Sequence, residues 1–157
     1  MSIEDAFNWL GATAPGVYLR QSTAAFAATE SLHLLSLAVV GGVVLIVDLA
    51  ALRLVLRGAA VADTVRSLRP VFRGALGMVV VSGVLLVAAG PIKYLSNPLF
   101  PVKLGLLALA VTLQAWLQRG LAGASGEAAD GGWRTLATAS LFLWTAVIVA
   151  GRWLGLI

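Results

Sequence analysis

Four long stretches without a charged residue constrain this chain more than any other feature: Leu34 to Val47, Gly74 to Ile92, Leu104 to Leu117 and Thr135 to Gly151. With their flanks, each approaches the roughly 20 residues that a helix rising 1.5 Å per residue needs to cross a hydrocarbon core of about 30 Å. The chain is 60% hydrophobic and 11% charged, against roughly 25% charged in an average soluble domain. A water-soluble fold of this length cannot hide so much apolar surface, so lipid is the solvent for much of it. The expected fold is an all-α integral membrane four-helix bundle, a single domain over residues 1–157 with spans at about 24–50, 72–92, 102–119 and 134–154. The connecting loops are too short for a separate soluble enzyme domain.

Ser2 followed by Asp5 has the form of a capping box, and Ala6, Phe7, Trp9 and Leu10 then fall on one side of a short helix that Gly11 can end. Too short to span, it is expected to lie flat in the interface with Phe7 and Trp9 at headgroup level. Ala12 to Pro15 breaks the chain, and Tyr18, Arg20 and Gln21 lead into the first long helix, expected from about Ser22 to about Arg57. At roughly 50 Å this helix exceeds the hydrocarbon thickness, so it must tilt, protrude or bend, with Gly41-Gly42 as the expected bend. Pro70 is expected to open the second helix and Gly90-Pro91 to end it; Asn97-Pro98 marks a turn, and Pro101 starts the third helix. Ala122 to Gly132, with Glu127 and Asp130, reads as a loop before the last helix. The opening Met1-Ser2-Ile3-Glu4-Asp5 lacks the basic stretch and apolar core of a signal peptide, so the N-terminus is expected to be retained.

Cysteine is absent, which excludes disulfides, thiolate iron–sulfur clusters, zinc–thiolate sites and covalently attached haem. The net charge of +4 reflects arginines gathered beside apolar segments and not a nucleic-acid surface. Arg53, Arg57, Arg66, Arg69, Arg73, Arg119 and Arg134 fall on one side of the bilayer, and Arg20, Lys93, Lys103 and Arg152 on the other. By the excess of cations in cytoplasmic loops, both termini are expected on the periplasmic or equivalent side.

That topology brings Glu30 and His33 of the first span, Lys93 and Tyr94 after the second, Lys103 at the start of the third and Arg152 at the end of the fourth to one depth. Ionisable groups in lipid are costly and mark sites. His33 is the single histidine, and Glu30 at i−3 shares its helical face. Copper or zinc sites want several histidines or thiolates, whereas a b-type haem needs one strong axial ligand and cations for its propionates. Met78 enters near the opposite side and is a poor sixth ligand; a lysine or the His33 of a second subunit is a better one. Blander readings stay open: a carbonyl-bonded histidine at the headgroup boundary, and lysines that snorkel at helix ends. Asp48, about 22 Å further along the helix, is expected to pair with Arg53 or Arg73 near the other face. Gly41, Gly42, Gly77, Ser82 and Gly83 are expected to allow close helix packing or the flat approach of a cofactor ring.

Glu30-Ser31-Leu32-His33-Leu34-Leu35, Gly41-Gly42, Val47-Asp48-Leu49, Lys93-Tyr94, Asn97-Pro98, Val102-Lys103-Leu104 and Gly151-Arg152-Trp153 together resemble a family of small bacterial inner-membrane proteins of unknown function. Leu32-His33 and Lys103-Leu104 are also similar, more distantly, to motifs of copper-resistance-D-type proteins and haem-containing protoporphyrinogen oxidases. The second resemblance implies haem b at His33 with Lys103 nearby. Three functions are therefore expected as alternatives: electron transfer by a membrane haem b protein, with a periplasmic redox partner and a homodimeric or larger assembly; a haem-dependent porphyrinogen or quinone oxidoreductase; or a non-catalytic subunit that anchors or assembles a larger complex. The two haem readings require positions 33 and 103 in one leaflet. Cysteines introduced singly at these positions should react with a membrane-impermeant maleimide from the same side, and labelling from opposite sides dissolves the shared pocket.

Overall fold

The computed structural model describes residues 2–56, 60–123 and 131–156, with side chains beyond Trp153 and at residue 131 outside the description. Every element among the described residues is helical: α1 (Ile3–Ala12), α2 (Ala14–Gln21), α3 (Thr23–Ala51), α4 (Val61–Ala89), α5 (Pro91–Leu95), α6 (Leu99–Gly123) and α7 (Gly131–Leu156). Four of them are long and apolar enough to cross a membrane, over Thr23–Ala51, Val61–Ala89, Leu99–Gly123 and Gly132–Trp153. The chain is a multi-pass membrane protein. Around the bundle, α3 packs on α4, α4 on α6, α6 on α7, and α7 back on α3.

Local chemistry sets the helix ends. Asp5 N donates to Ser2 Oγ at 3.1 Å and Ser2 N to Asp5 Oδ2 at 2.7 Å, closing the capping box of α1. These bonds from Ser2 hold the Asp5 carboxyl below the usual carboxylate range. Thr13 caps α2 by accepting from Gly16 N, with Pro15 in its first turn. Ser22 caps α3 through Ala25 N. The first span is continuous through Gly41-Gly42 but ends at Ala51, short of Arg57, which lies outside the described residues. Arg53 takes a left-handed φ of 58° there, Leu54 N donates to Leu49 O and Arg53 N to Ala50 O. That is a Schellman cap with arginine in the place glycine usually takes, so no residue type announced it.

Pro70 does not open α4 but sits inside it, after nine residues of helix. Pro70 removes one intrahelical donor, while Arg66 donates to the Ala122 carbonyl at 2.8 Å and Arg69 to that of Gln118 at 2.9 Å, fastening the extension to the end of α6. The expected loop from Ala122 is helix as far as Gly123, and Glu127 and Asp130 lie outside the described residues.

The N-terminal segment is two helices, not one followed by a linker. α1 packs on α5 and α4, and α2 packs on α4. Trp9 is exposed as expected for the interface, but Phe7 meets Phe100 edge-on with ring centroids 6.1 Å apart. Gly16 allows the close approach: a Cβ there would lie 2.9 Å from the Ala88 carbonyl oxygen and 3.1 Å from that of Leu10.

Packing is uneven along the bundle. The buried residues of α6 run from Ala110 to Leu121, and those of α7 are Ala137, Ser140, Trp144 and Val147. On α3 they begin at Ser36. The half of the bundle away from the termini is therefore close-packed, and at the termini end α6 and α7 bury nothing among their described residues. Substituting Gly16→Ala should lower stability in detergent by about 1–3 kcal/mol, because rigid backbone and not a flexible side chain stands in the way. Gly77→Ala, which meets open space, should show no such loss in the same thermal-unfolding measurement.

Candidate functional site

The loosely packed end holds the polar residues. Glu30 and His33 are one turn apart on α3, and Ser82 and Gly83 of α4 face the imidazole. His33 Nδ1 lies 2.9 Å from Ser82 Oγ, and the Ser82 hydroxyl donates its single proton to the Met78 carbonyl. The hydroxyl must then accept from Nδ1–H, which fixes the neutral tautomer and leaves the lone pair on Nε2. Nε2 is not among the buried unpartnered atoms of the described residues, and the Val79 carbonyl is the ring's other hydrogen-bonding neighbour. Gly83 is where the ring fits: a Cβ would lie 3.3 Å from His33 Cε1.

Lys103 and Glu30 are the two charged residues whose fields bear on the imidazole. Lys103 is half-buried and runs along α7 at Gly151, where a Cβ would sit 3.4 Å from its Cε and 3.6 Å from its Nζ. Glu30 is exposed. Tyr94 on α5 is the fourth member; burial first, and then the charge of Glu30, push its phenol above the usual range, so it stays a neutral O–H donor. Tyr94 is held by Phe100, with ring centroids 5.4 Å apart.

The charges of Lys103 and Glu30 reach His33, and that of Glu30 reaches Tyr94. Neither Lys93 nor Arg152 is among the charges that reach the imidazole. Lys93 lines a neighbouring cavity of roughly 310 Å³ bounded by α2, the start of α3, the end of α4 and α5, and Tyr94 lines it as well. The Arg152 side chain is exposed beside Gly151. Ser82 is the residue whose role the sequence concealed; a small polar side chain in a span is usually a packing residue, and its pairing with position 33 needs two helices in register. Among the described residues no three His, Cys, Asp or Glu side chains converge on a metal-sized site.

A second polar group lies in the close-packed half, and it corrects the expected arginine pairing of Asp48. Asp48 is fully buried, and its Oδ1 accepts from Gln114 Nε2 at 3.4 Å, while Ser140 Oγ donates to Gln114 Oε1 at 2.7 Å. Its partners are uncharged side chains of α6 and α7, with Asp48 Oδ2, Gln118 Nε2 and Trp144 Nε1 left unpartnered. Gln114 was passed over because one glutamine within an apolar run carries no motif. The three residues tie α3, α6 and α7 at one level, since each buried polar group satisfies the next. Gln114→Leu strands both Asp48 and Ser140 and should lower stability by about 1–3 kcal/mol. Asp48→Leu combined with Gln114→Leu should recover most of that loss in a double-mutant cycle; a strictly additive cycle removes the coupling.

A family model described as a family of unknown function (DUF6644) matches residues 4–157. No curated protein and no solved structure matches the chain. The likeness to copper-resistance-D proteins and to protoporphyrinogen oxidases therefore rests on the two dipeptides alone.

Proposed function

The chain belongs to the family of unknown function DUF6644, and we propose that it is a membrane-embedded b-type haem protein that transfers electrons near the face carrying its termini. In this reading the membrane is a bacterial inner membrane and that face is periplasmic, in keeping with the distribution of arginine and lysine.

One observation carries the proposal: His33 Nδ1 is hydrogen bonded to Ser82, which leaves the Nε2 lone pair for a ligand. Ligating histidines are held in this way by a second partner on the other nitrogen. A lone imidazole without cysteine or a carboxylate cluster suits a group that brings most of its own metal ligands, and a porphyrin does so. The residues fit in charge as well. Lys103 can pair with a propionate and Tyr94 can donate to one, while Gly83 and Gly151 give the imidazole and the lysine side chain themselves the space they occupy. Bound haem supplies one-electron chemistry; the protein's part is to orient the imidazole, neutralise the propionates and keep the site at membrane depth. A lysine, or His33 of a second copy, would complete six-coordinate iron, and a periplasmic redox protein or a larger membrane complex would receive the electrons.

A second reading is a haem-dependent porphyrinogen or quinone oxidoreductase, supported by the charges of Lys103 and Glu30 that reach the imidazole. The two separate in one set of measurements. Detergent-purified protein supplied with haem should show a Soret band that His33→Ala abolishes, and Ser82→Ala should weaken haem affinity by about 10–100-fold. Turnover of a porphyrinogen or quinol, lost in Lys103→Ala with the Soret band retained, selects the enzyme. Protein that stays colourless in the presence of haem defeats both and leaves an anchoring or assembly role.

A further inference from the structure

The cavity bordered by Lys93 lies apart from the imidazole. Its wall is formed by Leu19 and Arg20 of α2, Thr23 and Phe26 of α3, Leu86, Ala89 and Gly90 at the end of α4, and Lys93 and Tyr94 of α5. Its depth is defined by the chain: Thr23 begins one span and Ala89 ends another, while α2 and α5 lie outside both. The cavity therefore lies at the ends of two spans. Its lining combines apolar side chains with two cations and two hydroxyl groups.

Among the described residues, neither cation is in an ion pair. Arg20 Nη2 donates to the Gly11 carbonyl at 2.7 Å, which pins the guanidinium under the α1–α2 junction and uses one of its five N–H donors. Lys93 is exposed, and the ion pair among the described residues is Arg66–Asp63 at the other end of the bundle. Tyr94 stays a neutral donor because it is half-buried. Glu30, the carboxylate whose charge reaches Tyr94, is not in the cavity's lining. A volume of roughly 310 Å³ falls at the lower end of small-molecule sites, about 300–1,000 Å³. It suits a compact anion with the first part of an apolar tail.

We propose that this cavity binds the phosphate group of an anionic membrane amphiphile, with Arg20 and Lys93 holding the phosphate oxygens, Thr23 donating to them, and Leu19, Phe26 and Leu86 receiving the adjoining chain. Bound there, the amphiphile bridges α2, α4 and α5 and locks the N-terminal helices onto the end of α4. The site does not depend on haem.

The test uses the full chain in maltoside micelles, titrated calorimetrically with dihexanoylphosphatidylglycerol, dihexanoylphosphatidylcholine and inorganic phosphate. Phosphatidylglycerol should bind at least about tenfold more tightly than either of the others, because the zwitterion carries its own countercharge and free phosphate lacks the tail. Lys93→Gln should weaken phosphatidylglycerol binding about tenfold, the loss of one charge-assisted contact, and Lys93→Arg should restore it. Equal binding of the two lipids overturns the proposal, as does an unchanged affinity in Lys93→Gln. Inorganic phosphate binding as tightly as the lipid assigns the cavity to a free anion and removes the amphiphile.

Discussion

The cost of leaving a polar group unpaired in hydrocarbon governs this molecule. Backbone donors and acceptors meet that cost by forming helices throughout the spans, and the few polar side chains meet it by collecting at two levels. At one level Asp48, Gln114 and Ser140 satisfy one another inside the close-packed half. At the other, His33 and Ser82 form one bond across α3 and α4, while Glu30 is exposed and Lys103 and Tyr94 are half-buried. The same rule yields a structural tie where the helices close on each other and an accessible site where they do not.

The difference between the two ends follows from what fills the space between the spans. Toward the loop joining α3 and α4, Val44, Val47, Leu117, Trp144 and Phe72 pack into a common core, with Phe72 and Trp144 edge-to-face at 6.4 Å. At the termini end that role passes to α1, α2 and α5, which cover the end of α4 but leave α6 and α7 without buried residues among those described. Short helices docked from outside replace a continuous core, so this end can hold both the imidazole and a cation-lined cavity. Gly11 and Gly16 are what let those helices dock: added Cβ atoms would meet Pro91 and the Ala88 carbonyl.

Hydropathy carried the architecture, since a window of apolar residues needs no partner to declare itself a span. Helix ends were harder to read. Arg53 closes α3 in a conformation that glycine normally announces, and Pro70 lies within α4 because Arg66 and Arg69 find carbonyls on α6. Of the site, His33 stood out because it is unique and Lys103 because it is charged. Ser82 and Gln114 did not, because a serine or glutamine in a span has no meaning until its neighbour on another helix is known. Lys93 and Arg152 were assigned to the imidazole by depth alone, and depth does not specify direction around a bundle.

The amino-acid sequence by itself determined that the chain lives in lipid, that it crosses four times, and at which depth its ionisable residues lie, because hydrophobicity and rise per residue act along one dimension. Tertiary structure decided which of those residues meet: the Nδ1 bond from His33 to Ser82, the replacement of an arginine by Gln114 beside Asp48, and the separation of Lys93 from the imidazole. Those contacts depend on the rotation and register of one helix against another, and packing between helices sets these in three dimensions.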